Sequence, residues 1–287
     1  MRILRLSNAT SSPRLKTLIA GFLVAAITTA AITLTGSNGP SWWSKAPVAA
    51  AGIDASRSLI TLENDKNTKS SLVVIRANLA KEVTDVRILP AYFDTLAVSG
   101  THAFLAKRGI ARSQCLNLVS GKLEEELRLP ADLKIVGVSV MNDDSFLIWG
   151  GDSGRRTLIF KTNCTSVYSV ITSQERLNLI CPTGNRLVAI DVQGVIFRTT
   201  NGFGFEKTRQ KYPHLNFLTC GDAGIAGHLS SGSQDFIVSI GPRAARPNLL
   251  SNGKGLFALL FDKNGSEWFG LKHGATTTTV GIFPIRG

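Results

Sequence analysis

The first 36 residues contain no acidic side chain, and the 19 residues from Thr17 to Thr35 carry no charge at all. That absence excludes a solvent-exposed helix for the segment. No C-x-x-C or H-x-x-x-H spacing occurs, and the 4 histidines, His102, His214, His228 and His273, lie far apart, so a zinc site of the usual kind is not expected. Helical periodicity is nearly absent beyond the apolar run, which excludes a helical bundle. Only 3 tyrosines, Tyr92, Tyr168 and Tyr212, are present. No Ala-Ala-His-Cys segment accompanies Gly151-Asp-Ser-Gly154, so that motif lacks the base a serine nucleophile needs and reads as a hairpin turn.

What stands at the N-terminus is a basic head, Arg2, Arg5, Arg14 and Lys16, followed by the uncharged run. At 1.5 Å per residue the run makes about 28 Å of helix, enough to span a hydrocarbon layer of about 30 Å. The basic end is retained in the cytoplasm, so everything after Gly36 is expected outside it. The nearest clear small-residue cleavage site, Ala49-Ala50-Ala51, lies too far downstream, which favours an uncleaved signal anchor; secretion after processing near Thr35 or Gly36 is the alternative. Trp42 and Trp43 suit the membrane interface just beyond the span, or an ordinary packing pair. The absence of Cys after the run removes lipid attachment there. The expected organisation is a cytoplasmic tail over 1–16, a single-pass anchor over 17–36, a linker over 37–55 and an extracytoplasmic domain over 56–287.

The formal charge is +12, and removing the four basic residues of the head leaves +8 for the exported part. The excess favours contact with phospholipid headgroups or an acidic envelope polymer, although the basic residues are scattered. Nucleic acid is not an expected partner outside the cytoplasm. All 4 cysteines, Cys115, Cys164, Cys181 and Cys220, fall in the exported part, where disulfides persist. Three connectivities exist; the matching places of Cys181 and Cys220 in neighbouring repeats favour pairing them, and free buried thiols are the alternative.

The exported part is a succession of short β-type runs with an internal repeat. Thr157-Leu-Ile-Phe-Lys-Thr162 matches Gly194-Val-Ile-Phe-Arg-Thr199 at an offset of 37, Phe146-Leu-Ile-Trp149 corresponds to Leu187-Val-Ala-Ile190, and Leu177-Asn-Leu-Ile180 to Leu215-Asn-Phe-Leu218. Taking Ile75, Leu118, Phe160, Phe197, Val238 and Val280 as marks gives spacings of 43, 42, 37, 41 and 42. A register near 41 predicts an all-β propeller of five to six four-stranded blades, since a single such sheet cannot bury its two apolar faces alone. A β-sandwich is the competing architecture.

The stretch Val188-Ala-Ile-Asp-Val-Gln-Gly-Val-Ile-Phe-Arg-Thr-Thr-Asn-Gly202 resembles the blade pattern of Asp-box (BNR-type) propellers, clearest over residues 146–220. Thr199, Asn201 and Phe205 stand where that box has Ser/Thr, Asp and Trp, and Phe203 replaces its Gly. The resemblance implies a propeller and raises a sialidase-like reading, which needs three convergent arginines, a Tyr nucleophile and an acidic partner. Arg76, Arg198 and Arg286 are available, but none has the family's sequence context, and the early F-R-I-P segment is missing.

Other polar clusters read as structure. Glu124-Glu-Glu126 after the Ser120-Gly121 turn reads as a solvated edge leading to an alternating Leu-Arg-Leu strand, and Asp143-Asp144 as a turn without the spaced ligands of a calcium loop. Thr276 to Thr279 suits an edge or closure strand. Asn163-Cys-Thr165 and Asn264-Gly-Ser266 match glycosylation acceptors. The expectation is a non-catalytic, membrane-anchored module that binds a protein or envelope polymer at one end of its ring, with no catalytic, cofactor or metal residue; a glycan-active hydrolase or lyase is the alternative. An enzyme requires ionisable groups converging on the axis, whereas a binding module allows an apolar or basic ring there.

Overall fold

Runs of alternating or continuous apolar residues bounded by Gly, Asn, Asp and Pro make short antiparallel strands through the described residues after 40. The computed structural model describes residues 41–43, 48–65, 70–79, 83–141, 143–154, 156–183, 185–199, 204–221, 224–231, 234–241, 245–250, 256–262, 267–273 and 279–284, all within the compact unit Gly39–Gly287. The segments expected to form a cytoplasmic tail, 1–16, and a signal anchor, 17–36, lie outside the described residues. No helix among those described is long and apolar enough to cross a membrane.

The strands, in chain order, are β1 (Ser41–Trp43), β2 (Val48–Ile53), β3 (Leu59–Asp65), β4 (Ser70–Arg76), β5 (Asp85–Leu89), β6 (Thr95–Ser99), β7 (His102–Lys107), β8 (Arg112–Asn117), β9 (Lys134–Val140), β10 (Phe146–Gly151), β11 (Thr157–Thr162) and β12 (Val167–Ser173). They continue with β13 (Leu177–Thr183), β14 (Arg186–Asp191), β15 (Val195–Thr199), β16 (Phe205–Lys211), β17 (Leu215–Gly221), β18 (Gly224–Ser231), β19 (Gln234–Ile240), β20 (Ala245–Leu250), β21 (Leu256–Asp262), β22 (Glu267–His273) and β23 (Thr279–Pro284). Four of the sheets are sequential meanders of four strands, β2 to β5, β9 to β12, β13 to β16 and β17 to β20; β6 to β8 form a sheet of three. The last sheet has the order β1-β23-β22-β21, so the N-terminal strand completes the C-terminal sheet.

The first strand of each sheet touches the next around a closed cycle, β2 to β6, β9, β13, β17, β21 and back to β2. This arrangement is a β-propeller. It is not the sandwich weighed from sequence, because the sheets face their neighbours around an axis instead of forming two layers. The seams are apolar: Phe104 and Phe146 pack between the sheets of β6 to β8 and β9 to β12, and Val188, Ile196, Ile225 and Val238 between those of β13 to β16 and β17 to β20. Each sheet thereby buries both faces, the reason a 41-residue unit needs neighbours.

The sequence register maps onto this architecture strand by strand. Ile75, Phe160, Phe197, Val238 and Val280 lie on β4, β11, β15, β19 and β23, the third strand of their respective sheets. Leu118 directly follows β8, also a third strand. Two expectations need correction. The linker drawn over 37–55 contains β1 and β2, an outer and an inner strand; Ala49, Ala50 and Ala51 read as linker because they lack the bulky alternation of an ordinary strand, yet small side chains suit the crowded axis. Nor does the segment after Glu124–Glu126 form a regular fourth strand. Leu123 makes an isolated bridge to Leu116, Glu124 N donates to Cys115 O at 2.8 Å and Leu127 N to Ser113 O at 3.2 Å, after which Pro130 ends the alignment. Leu127 is buried in the seam, so its apolar side chain holds the segment along β8 without a continuous ladder.

Two disulfides bind neighbouring sheets. Cys181 on β13 joins Cys220 on β17, the pairing favoured by the repeat, and Cys115 on β8 joins Cys164 in the β11–β12 turn; no described cysteine is free. The second bond staples the three-stranded sheet to its neighbour. Glycine is required at Gly194, where φ is 78° and a Cβ would run into the carbonyl of Tyr212, the residue after β16, whose N donates to Gly194 O at 2.8 Å. Gly194→Ala is therefore expected to cost about 1–3 kcal/mol, since both the positive φ and the backbone contact oppose it; urea unfolding measures this as a lower midpoint with an unchanged slope.

Candidate functional site

The inner strands surround an axial cavity of about 800 Å³. Because each inner strand is the terminal strand of its sheet, one backbone edge of each is left without a strand partner in that sheet and borders the axis. Glycine permits the closest approach: a Cβ on Gly52 would stand 2.8 Å from Val98 Cγ2 of the next inner strand. The side chains that reach the cavity are mostly apolar and partly exposed, among them Val138, Leu179, Leu218, Phe257 and Phe261. Phe217 is forced inward by an irregularity of β17 between Asn216 and Thr219; it has φ of 50° and its ring stacks on His228 at 5.8 Å. His228 Nε2 lies 2.9 Å from Asp235 Oδ1 behind it. The Lys272 ammonium is lowered by burial, with Asp235 opposing the shift.

Three ionisable side chains line the cavity among the described residues, and all belong to its mouths. At the end where the inner strands begin, the β7–β8 turn carries Arg108; its Nε donates to Thr95 Oγ1 at 3.1 Å and its backbone N to Asp94 Oδ1 at 2.9 Å. This leaves the two terminal guanidinium nitrogens for other partners. Lys107 is held beside it by Asp94 at 2.8 Å and lies 4.1 Å above the Tyr92 ring. Burial raises the Asp94 carboxyl, but hydrogen bonds from Lys107, Arg108 and Thr95 outweigh it and leave the group below its ordinary value.

At the opposite end stand Asp54 and Asp144. Asp54 Oδ1 caps its own loop by accepting from Ser56 N at 2.9 Å and Ser58 N at 2.7 Å. Asp144, in the β9–β10 turn with φ of 60°, accepts at Oδ1 from Ser99 Oγ at 2.8 Å. Between the mouths, Ser139 contributes to the cavity wall, but its hydroxyl is buried behind the surface, without a hydrogen-bond partner among the described residues.

Asp144 also borders a smaller groove of about 300 Å³, lined by His102, Asp143, Lys161, Asn163 and Tyr168. Asp143 pairs with Lys161, and this hydrogen bond, with those from Ser145, lowers its carboxyl to about 2. A carboxylate depressed in the folded state contributes stability that is present above its unfolded value near 4 and is lost as pH falls through about 2. A carbon-detected NMR titration is expected to show Asp143 ionising near 2, returning toward 4 in Lys161→Met.

Of the arginines considered for a sialidase, the two that are described lie off the axis. Arg76 on β4 is buried off the axis, where its Nη2 lies 3.3 Å from Glu63 Oε1 and its Nη1 donates to Thr61 Oγ1 at 3.0 Å. Burial lowers its guanidinium, with Glu63 opposing the shift. Arg198 on β15 donates to Gly241 O at 3.1 Å and Gln210 Oε1 at 2.9 Å, again off the axis, and burial lowers it too. Arg286 and Asn264 lie outside the described residues.

The turn readings hold elsewhere. Asp152 closes the Gly151–Gly154 hairpin by accepting from Arg156 N at 2.9 Å, while Asn163 Oδ1 accepts from Thr165 N and Ser166 N. Among the described residues no group of three His, Cys, Asp or Glu could hold a metal. Sequence reasoning missed Arg108, Asp54, Asp144 and Ser139 because they come from three sheets and carry no shared motif.

No family model matches the sequence, and no curated protein matches it. Solved structures do. A streptogramin B lyase is 11% identical with a TM-score of 0.51, the match covering 86% of this chain and 97% of that one. The β-propeller domain of the Trilobed protease from Pyrococcus furiosus, described as having an open velcro topology, is 10% identical with a TM-score of 0.53 over 85% and 82% of the two chains. The Swd1 β-propeller domain of Myceliophteria thermophila is 11% identical with a TM-score of 0.55 over 84% and 98%. At such identities these likenesses establish the fold: the chain is a β-propeller.

Proposed function

We propose that this chain is a membrane-anchored, extracytoplasmic propeller of six blades that acts as a non-catalytic binding module for a protein or envelope polymer. The observation that carries this reading is the axial cavity. Its wall combines apolar side chains with uncharged polar and backbone groups, and among the described residues its few charged groups are divided between two mouths, with no acid and base side by side over a common substrate position. The apolar and uncharged N-terminal run supports the anchor, and the cycle of six inner strands supports the blade count. A ring without an axial acid–base pair has affinity to offer through its mouths and loops.

Photo-crosslinking of the full chain in intact envelopes tests the reading. A discrete partner is expected, recovered with the chain in the membrane fraction. Purified full-length chain that cleaves glycans unaided, detected as new reducing ends or unsaturated products, would replace the binding module by the hydrolase or lyase alternative.

A further inference from the structure

The axial cavity has a direction. Arg108 presents free guanidinium nitrogens at the mouth where the inner strands begin, while Asp54 and Asp144 place carboxylates at the mouth where they end. Between them the wall combines apolar side chains with the inner-strand edges that border the axis. An alkyl chain would satisfy the apolar side chains but leave the facing backbone groups without partners, an arrangement that costs free energy. An extended peptide supplies both kinds of contact, because its backbone bonds to strand edges while its side chains enter alternate pockets.

Size permits one such segment. The inner strands of five to seven residues span about 17–23 Å at 3.3 Å per residue, and the cavity of about 800 Å³ is lined by residues of all six of them.

We propose that the axial channel receives a single extended peptide, with its carboxylate end at Arg108 and its cationic end at Asp54 and Asp144. In this orientation the peptide runs antiparallel to all the inner strands, the pairing that gives perpendicular backbone hydrogen bonds. Phe217, held in a left-handed conformation and exposed in the channel, supplies an apolar wall part-way along. The proposal rests on the binding reading above and names the chemistry of the ligand.

The probe is a fluorescein-labelled heptapeptide of alanine and serine with lysine at its first position and a free C-terminal carboxylate, titrated by anisotropy with the full-length chain. Saturable binding is expected. It weakens at least tenfold with Arg108→Gln and with an amidated C-terminus, and the two changes together weaken it no further than either alone. Ala49 is exposed within the channel, so Ala49→Trp obstructs the lumen and abolishes binding without altering the unfolding midpoint.

Absence of binding to the unaltered chain, binding indifferent to Ala49→Trp and Arg108→Gln, or complete displacement by dodecanoate would each overturn the proposal. If Ala49→Trp lowers the midpoint, the amidated peptide against the unaltered chain decides: an undiminished affinity overturns the proposal. Failure here with a crosslinked partner still captured discards the axial peptide alone. Capture failing as well removes the binding module itself.

Discussion

Replacing Cys181 and Cys220 together by alanine is expected to destabilise the domain by about 2–4 kcal/mol, one of the two largest effects of any small change in this chain. The sequence separation is 39 residues, and loop-closure entropy for a loop of that size gives about 4 kcal/mol as the unstrained limit. The bond spans neighbouring inner strands, so its loss frees two sheets from each other in the unfolded chain while leaving the Val188, Ile225 and Val238 seam to hold them in the folded one. Urea unfolding of the double variant measures the loss, and reduction of the unaltered chain should lower the midpoint further, because it also opens Cys115–Cys164 across 49 residues. Equal midpoints for oxidised and reduced protein would show that these bonds add nothing to the seams.

Arg76→Met is expected to cost about 3–5 kcal/mol. Both partners are buried, with side-chain exposures of 2% for Arg76 and 4% for Glu63, so the carboxylate loses a cation that water cannot replace. Burial already lowers the Arg76 guanidinium against the opposing effect of Glu63, which shows that desolvation is the larger influence at this site. The companion change is informative. Arg76→Met with Glu63→Leu is expected to recover most of the loss, because removing both charges removes both desolvation costs. The same single substitution at an exposed arginine such as Arg128 should fall within about 0.5 kcal/mol. Thermal or urea unfolding separates these outcomes, and a small loss in Arg76→Met would show that the ion pair is structurally dispensable.

The strand framework was largely legible in the chain itself. The pair Thr157–Thr162 and Gly194–Thr199 was recognised by matching letters, and both occupy the third strand of a four-stranded sheet because that strand is covered on both faces and must be apolar along most of its length. The match of Leu177–Ile180 with Leu215–Leu218 identified two inner strands for a related reason, and with them the correct partner for Cys181. Failures arose where packing replaces pattern. Ala49–Ala51 looked like linker because crowding at the axis favours small side chains over β-branched ones, and Leu127 looked like part of a strand because its buried side chain mimics strand alternation without a ladder. The three-stranded sheet shares the same repeat length as the others, since its missing strand is replaced by an irregular segment of similar span.

The candidate site was not legible at all. Arg108 in a hairpin turn, Ser139 in an alternating strand and Asp144 beside a second aspartate each have an ordinary local explanation, and only ring closure puts them around one cavity. The positive charge of the whole chain gave no hint of it, because the cavity places one cation and two carboxylates at opposite mouths.

By itself, the order of residues determined the strand segments, the 41-residue register and the favoured Cys181–Cys220 pairing, because these depend on local alternation and on repeated spacing. The tertiary structure decided which strand completes which sheet, that one sheet has three strands, where Arg76 hides and which groups face the axis. These are properties of closure: bringing Ser41–Trp43 against Thr279–Pro284 fixes the position of every blade at once, and no local run of residues encodes a distance across the ring.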